Sequence, residues 1–279
     1  MHLTPESTQL LNDGTKIPLL GFGVYQSPPG RTTYKSVRLA LKAGYRHIDT
    51  AALYGNEADV GRAVRDSVSE LGISRDSVFV TTKLWNSEHG FDRAKKAFRE
   101  SYARLGQGTI DLYLIHWPVA GKRTESWRAL VDLKREGVVR SIGVSNFTIR
   151  HLQELLDSSG VIPSVNQVEF SPFLFQKELL EFCLSHGIRL EAYSPLTRGE
   201  RLDDERLVRL ASKYQRTPAQ LLIRWCLEHD VIVLPKSNTA SRIQENAAVF
   251  DFAIDSVDLS EMDSWNEDYR ASWDPTDAP

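Results

Sequence analysis

Residues 78–116 read VFVTTKLWNSEHGFDRAKKAFRESYARLGQGTIDLYLIH. Val78-Phe79-Val80 and Leu112-Tyr113-Leu114-Ile115 are continuous β-forming runs, as expected of parallel strands buried on both faces. Between them Phe91, Ala94, Phe98, Tyr102 and Leu105 fall at helical spacing. The stretch therefore predicts strand, helix, strand.

The same unit recurs along the chain. Ile142-Gly143-Val144 precedes Leu152, Leu155 and Leu156, and Val165 to Phe170 precedes Leu179, Leu180 and Cys183. Ile188 to Tyr193 precedes Leu207, Leu210 and Tyr214, and the last strand is Val231-Ile232-Val233-Leu234. Eight strands each precede a helix, with C-terminal ends at Gly23, Asp49, Lys83, His116, Ser145, Gln167, Tyr193 and Lys236. Eight such units in 279 residues predict a single (β/α)8 TIM barrel spanning residues 1–279. A doubly wound sheet is the alternative. Gly21-Phe22-Gly23 lacks the third glycine of a dinucleotide-binding turn, which lowers it.

Gln9-Leu10-Leu11 and Lys16-Ile17-Pro18-Leu19 flank Asn12-Asp13-Gly14 and predict an N-terminal β-hairpin. Asn56 before Glu57 and Thr217 before Pro218 predict helix caps. Residues 274–279 hold two prolines and no large apolar residue, which predicts a short, extended, frayed C-terminal tail and an open pocket. Trp273 before it is expected either to cover the pocket or to pack under the rim.

Apolar residues at 41% and charged residues at 25% are ordinary for a folded chain. A balance of 34 basic against 37 acidic residues argues against broad nucleic-acid or anionic-membrane binding. No apolar run approaches the roughly 18 residues of a membrane span. Met1-His2-Leu3-Thr4-Pro5-Glu6 has neither the basic head nor the apolar stretch of an export signal. Cys183 and Cys226 cannot form a disulfide framework, so a cytoplasmic protein with reduced thiols is expected.

Active sites of such barrels lie at the C-terminal strand ends. The polar residues there are Asp49, Tyr54, Lys83, His116, Ser145, Asn146, Gln167 and Tyr193. Singly, each has a structural reading: Asp49 a cap, Lys83 a snorkelling cation, His116 a core histidine, Tyr54 a rim residue. Together they suggest a proton-transfer site. A tyrosine near its ordinary pKa of about 10 donates poorly at neutral pH, and a nearby ammonium lowers that pKa. Lys83 could supply the charge, Asp49 could hold Lys83, and neutral His116 could orient a carbonyl oxygen toward Tyr54. No serine or cysteine sits in an evident nucleophile–base pair, so hydride from a bound cofactor is the simplest partner.

Tyr25, Trp85 and Trp117 fall at or just after strand ends and are expected to wall the pocket with Leu53. Trp127 and Trp225 are expected in the core. Cys183 and His186, three residues apart, are too few for a metal site, and no metal is expected. Glu191 and Arg189 share the parity of Tyr193 and are expected to point into the barrel as a structural ion pair.

Gly44-Tyr45-Arg46-His47-Ile48-Asp49-Thr50-Ala51-Ala52-Leu53-Tyr54-Gly55-Asn56-Glu57 resembles the signature of the aldo-keto reductase family. Thr82-Lys83-Leu84-Trp85, Leu114-Ile115-His116-Trp117-Pro118, Ser145-Asn146-Phe147, Tyr193-Ser194-Pro195-Leu196 and Pro235-Lys236-Ser237 follow in that family's order. The resemblance runs from the hairpin to about Trp273. It is nearest to the bacterial diketogluconate-reductase-like branch, through Gly21-Phe22-Gly23-Val24-Tyr25 and the short tail.

The resemblance implies a tetrad of Asp49, Tyr54, Lys83 and His116, with Tyr54 as acid, and reduction of an aldehyde or ketone to an alcohol. It implies NADPH lying extended across the barrel mouth, with Val24 among its contacts. Ser145, Asn146 and Gln167 would hold the carboxamide, Tyr193 would stack on the nicotinamide, and Ser194 and Leu196 would line the pyrophosphate. Lys236, Ser237, Arg242, Glu245 and Asn246 would form the adenosine-phosphate site. Asn238 departs from the apolar residue expected there, and Thr197-Arg198 departs from the small residues that often follow the Ser-Pro-Leu motif. The partner expected is a small carbonyl compound, and the protein is expected to be a monomer. The rival readings are a Schiff-base aldolase using Lys83 and a non-catalytic NADPH-binding redox sensor.

Overall fold

The apolar runs become eight parallel strands that pair in sequence order. The structure, a computed structural model, describes residues 3–279. Met1 and His2, the head of the segment read against an export signal, lie outside the described residues. A hairpin of β1 (Thr8–Leu10) and β2 (Lys16–Pro18) comes first. The barrel strands are β3 (Phe22–Gly23), β4 (His47–Asp49), β5 (Phe79–Leu84), β6 (Ile110–Ile115), β7 (Val139–Ser145), β8 (Val165–Glu169), β9 (Arg189–Tyr193) and β10 (Ile232–Leu234). Between and around them run α1 (Arg31–Lys42), α2 (Glu57–Leu71), α3 (Phe91–Leu105), α4 (Arg123–Arg135), α5 (Ile149–Ser159) and α6 (Lys177–Ser185). After β9 come α7 (Glu205–Lys213) and α8 (Pro218–Glu228), and after β10 come α9 (Ala240–Ala247) and α10 (Ser256–Asp263). Among the described residues no helix is long and apolar enough to cross a membrane.

The barrel closes where Leu20 bridges Val233 in parallel. The Gly21 amide donates to the Val233 carbonyl at 2.9 Å and the Gly23 amide to the Pro235 carbonyl at 3.1 Å. A Cβ on Gly21 would stand 2.4 Å from Leu234 Cδ2 and 2.6 Å from His47 Nδ1. The Gly21-Phe22-Gly23 sequence thus serves the seam of the barrel, where backbone must come close to a buried side chain.

The hairpin lies under the N-terminal strand ends. Leu11 and Ile17 are buried there. Asn12 Nδ2 donates to the Pro163 carbonyl at 3.0 Å, Ser164 Oγ donates to Asn12 Oδ1 at 2.8 Å, and Lys134 Nζ donates to Asp13 Oδ2 at 2.6 Å. Trp127 and Trp225 are fully buried, and both cysteines are free and buried. His186 stacks on Phe182, with ring centres 4.2 Å apart.

Of three local expectations, two need correction. Thr217 does cap α8, in a reciprocal box with Gln220. Asn56 does not cap α2: its Oδ1 accepts from Thr50 Oγ1 at 2.7 Å, and its Nδ2 donates to the carbonyls of Val24 and Ser27 at 3.1 and 3.2 Å. It ties together the loops that follow β3 and β4, whose carbonyls would otherwise be buried unpaired. The tail is not frayed either. Pro275 is buried, the Ala278 carbonyl accepts from Arg150 and His151, and the main-chain oxygen of Pro279 accepts from Arg123. Donors presented by the first turns of α4 and α5 satisfy the carbonyls of a segment that lacks apolar anchors.

Helices α2 and α3 meet backbone to backbone at Gly61, where a Cβ would lie 1.9 Å from the Leu105 carbonyl oxygen. Gly61→Ala should therefore force the helices apart and cost on the order of 3 kcal/mol, as other overpacked sites do. Urea denaturation read by circular dichroism checks this; an unchanged midpoint would mean that the two helices separate freely.

Candidate active site

Lys83 is held at the C-terminal end of β5 with its side chain fully buried inside the barrel. Its ammonium donates to Asp49 Oδ1 and Oδ2 at 2.7 and 2.8 Å and to the Thr50 carbonyl at 2.9 Å. Asp49 ends β4, the neighbouring strand, so pairing of two adjacent strands sets this ion pair. A buried charge is tolerated only with a partner and satisfied hydrogen bonds, and both are present here.

Tyr54 follows Asp49 on a short helical turn, Ala52–Tyr54, which brings its hydroxyl to 3.4 Å from Lys83 Nζ. Its ring meets the His116 ring edge-on at 5.7 Å and the Tyr25 ring at 5.0 Å. Burial, then the negative charge of Asp49, hold the Tyr54 phenol well above its ordinary pKa. This reverses the expectation that Lys83 would lower it, because burial is the larger influence and the charge of Asp49 adds to it. The phenol is thereby kept as a proton donor. Burial, then the charge of Lys83, push the His116 imidazole well below its usual range, so this ring is neutral. Its Nδ1 is buried with no hydrogen-bond partner.

A second polar group lies beside this one in the barrel. Gln167 Nε2 donates both to Asp49 Oδ2 at 2.9 Å and to Glu191 Oε2 at 2.6 Å. Glu191 is fully buried, and its Oε1 lies 3.7 Å from His47 Nε2. Burial, then Asp49, push the Glu191 carboxyl up to about 8. Burial, then Lys83, push His47 down to about 3, and its Nε2 shares a hydrogen bond with Thr81 Oγ1 at 2.9 Å. The expected ion pair of Glu191 with Arg189 does not form. Parity places Glu191 in the barrel, but Arg189 begins β9 and donates to the Leu10 carbonyl of the hairpin at 3.3 Å.

The tetrad opens into a cleft of about 720 Å³. Asp49, Tyr54 and His116 face it, with Tyr25, Leu53 and Trp273 on the rim. Lys83 lies beneath its floor. Ser145, Asn146, Gln167 and Tyr193 line its middle, followed by Ser194 and Leu196, and Lys236, Ser237, Arg242, Glu245 and Asn246 line the β10–α9 side. Asn146 Nδ2 donates to the His116 carbonyl at 3.0 Å, and Tyr193 Oη donates to Asn146 Oδ1 at 2.8 Å. Val24 is not brought to the cleft; its side chain is fully buried. Trp85 and Trp117 are half-buried beside the cleft: Trp85 lies edge-on to His116 at 5.2 Å, and Trp117 edge-on to Trp273 at 6.3 Å.

The sequence reading missed Glu169. It ends β8 two residues beyond the strand end taken at Gln167, and its carboxylate accepts from the Ala271 and Ser272 amides at 2.6 and 3.1 Å. That clasp lays Trp273 over the cleft. The signal was the one that found Gln167, a polar residue at the end of an apolar strand.

The cleft fits an extended dinucleotide in size. Among the described residues, Lys236 and Arg242 on its β10–α9 side have no acidic partner. No cluster of three or more histidine, cysteine or acidic side chains suited to a metal ion occurs among the described residues.

Comparison with known proteins agrees with this geometry. A family model described as the Aldo/keto reductase family matches residues 20–267. The chain is 44% identical over 275 residues to a glyoxal reductase of Bacillus subtilis strain 168, covering 99% of this chain and 98% of that protein. It is 42% identical over 269 residues to the methylglyoxal reductase DkgA of Escherichia coli K12, covering 95% of each. The crystal structure of a Bombyx mori aldo-keto reductase in complex with NADP is similar, with a TM-score of 0.89 and 36% identity over 95% of this chain and 94% of that one.

The buried carboxyl of Glu191 generates a pH prediction. Unfolded, it ionises near pH 4.3; folded, it keeps its proton to about pH 8. Between those values the native state binds the extra proton, so this group's contribution to stability falls as pH rises. Glu191→Gln should remove that slope, leaving the variant relatively more stable at pH 8 than at pH 4.5 by on the order of 3 kcal/mol. Urea titrations of both proteins across this range check it. A stability difference independent of pH would show that Glu191 is ionised in the folded protein.

Proposed function

The chain belongs to the aldo/keto reductase family, and we propose that it reduces aldehydes or ketones to alcohols with NADPH, Tyr54 acting as general acid. The observation that carries this reading is the Tyr54 hydroxyl set 3.4 Å from a buried ammonium whose charge Asp49 compensates. When bound, NADPH supplies the hydride. The cations Lys236 and Arg242 suit its adenosine phosphate, with Ser237, Glu245 and Asn246 beside them. Ser145, Asn146 and Gln167 suit the carboxamide, Tyr193 the nicotinamide face, and Ser194 and Leu196 the pyrophosphate.

The protein's own part is positioning and proton transfer. Neutral His116 can donate one hydrogen bond to a carbonyl oxygen without a competing charge, and so orients it toward Tyr54. Tyr54 delivers its proton to that oxygen as negative charge develops there. Lys83 stabilises the phenolate left behind, and Asp49 holds Lys83 in place with both oxygens. The relatives' names point to small dicarbonyl aldehydes such as glyoxal and methylglyoxal, and the apolar rim of Tyr25, Leu53 and Trp273 suits short aldehydes. On the same reading the chain acts as a single domain and a monomer in the cytoplasm.

A Schiff-base aldolase is disfavoured by the site itself. Attack by Lys83 needs a free amine with room for substrate, whereas its ammonium is fully buried and donates to three oxygens of Asp49 and Thr50.

Tyr54→Phe should lower kcat for methylglyoxal by about two to four orders of magnitude, the usual range for general-acid catalysis, and leave the NADPH Kd within about threefold. Stopped-flow single turnovers with fluorescence titration separate the two; a kcat within about threefold of wild type would remove Tyr54 from the acid role, and loss of NADPH binding would leave only a cofactor-binding role. Arg242→Gln should weaken NADPH by about tenfold or more while changing NADH little, because the lost charge-assisted bond reads only the extra phosphate. Equal losses for both would make Arg242 a surface residue of α9.

A further inference from the structure

Gln167 and Glu191 stand opposite each other in the pairing of β8 with β9, and both side chains are buried inside the barrel. One terminal atom of the Gln167 amide lies 2.9 Å from Asp49 Oδ2 and 2.6 Å from Glu191 Oε2. Asp49 is ion-paired with Lys83 and only accepts, so that atom is Nε2, with both of its hydrogens spent. The carbonyl end is thereby turned the other way. Gln167 lines the cleft, and its Oε1 receives no donor among the described residues.

The side chains beside it are already engaged. Asn146 Nδ2 donates to the His116 carbonyl at 3.0 Å and to Ser145 Oγ at 3.1 Å, and Asn146 Oδ1 accepts from Tyr193 at 2.8 Å. Ser145 Oγ donates to the Gln167 main-chain oxygen at 2.8 Å. Of these three side chains, only Gln167 keeps an acceptor with no donor on it among the described residues. Glu191 is held in turn from behind. Its Oε1 lies 3.7 Å from His47 Nε2, which is tied to Thr81 Oγ1 at 2.9 Å. His47 is backed by the barrel seam, where a Cβ on Gly21 would come within 2.6 Å of its Nδ1. Seam, His47, Glu191 and Gln167 form a row across the barrel that ends at the cleft.

We propose that Glu191 is a positioning residue: with Asp49 it clamps the Gln167 amide at two points, so that Gln167 Oε1 faces the cleft as a preset acceptor for the N–H of the nicotinamide carboxamide. This rests on the reductase reading above, which puts the carboxamide beside Gln167. A single bond, to Asp49, would leave the amide free to pivot about it and carry Oε1 out of line. The second bond removes that freedom before any ligand arrives, and a ligand that meets an ordered acceptor does not bear the cost of ordering it.

The probes are NADP+ and its 3-acetylpyridine analogue, which carries a methyl group where the carboxamide has its NH2 and so keeps the carbonyl but loses the donor. Binding without substrate, read by quenching of tryptophan fluorescence, compares the two. Wild type should bind NADP+ about tenfold tighter, because a buried acceptor that meets a methyl group is left unpaired. Gln167→Met should bind both alike. Glu191→Met should cut the preference to about twofold, and Glu191→Gln, which keeps an acceptor oxygen opposite Gln167, should restore most of it. A purely structural Glu191 would weaken both dinucleotides equally; an intact ratio in Glu191→Met overturns the proposal, and so does a ratio lost in Glu191→Gln. If wild type binds neither dinucleotide, the reductase reading fails by itself, and the clamp is decided in the ligand-free protein by NMR of the Gln167 side-chain amide, assigned by its loss in Gln167→Met. Both Nε2 protons should resonate downfield of the free-amide range in wild type and in Glu191→Gln, and one should return to that range in Glu191→Met. A free-range proton in wild type, or two downfield protons in Glu191→Met, overturns the clamp.

Discussion

An ammonium buried inside the barrel is the constraint on which the site depends. Lys83 has no solvent to stabilise its charge, so Asp49 must sit on the adjacent strand with both oxygens turned to it, and the Thr50 carbonyl must complete the shell. That fixes the register of β4 against β5 and the path of the chain after Asp49. The turn Ala52–Tyr54 then has little freedom in where it puts the phenol. Asn56, spent on Thr50, Val24 and Ser27 rather than on capping α2, holds that path from the other side.

One compensated ion pair cannot absorb a second buried charge at low cost. Glu191 is coupled to Asp49 through the shared Gln167 amide, and an ionised Glu191 would leave one cation facing two anions. Protonation resolves the conflict: Glu191 holds a proton and His47 releases one, so that the interior carries one positive and one negative charge. The two groups add little field at Tyr54 while filling the barrel with hydrogen-bonding shape.

Sequence exposed the strand ends well, because parallel strands buried on both faces are continuous apolar runs and the first polar residue after each run is conspicuous. Asp49, Lys83, His116, Ser145, Gln167 and Tyr193 were all found by that rule, and all but the fully buried Lys83 line the cleft. The rule failed where strand length was misjudged, at Glu169, and where partners come from distant loops. Nothing local to Asn56 tells a cap from a tie between loops. The tail shows the same limit: its order depends on Arg123 and Arg150, more than a hundred residues away, and its own composition carries no trace of them. The proton affinity of Tyr54 was misread for a related reason, since it is set first by burial of the phenol and then by the charge of Asp49.

Floor and rim of the cleft are therefore built on different principles. The floor is set by strand register and by buried charges that must be paired, and a change there breaks several partners at once. The rim is carried by two connecting segments, the turn at Thr197–Gly199 and the stretch up to Trp273, joined by Arg201–Glu267, Tyr269–Glu200 and Arg198–Ser272. These bonds lie at the surface, where each contributes little by itself. Trp273 is 55% exposed, held by backbone amides on Glu169 more than by packing of its ring. Substitutions in the rim can thus alter which molecules enter without disturbing the ion pair beneath.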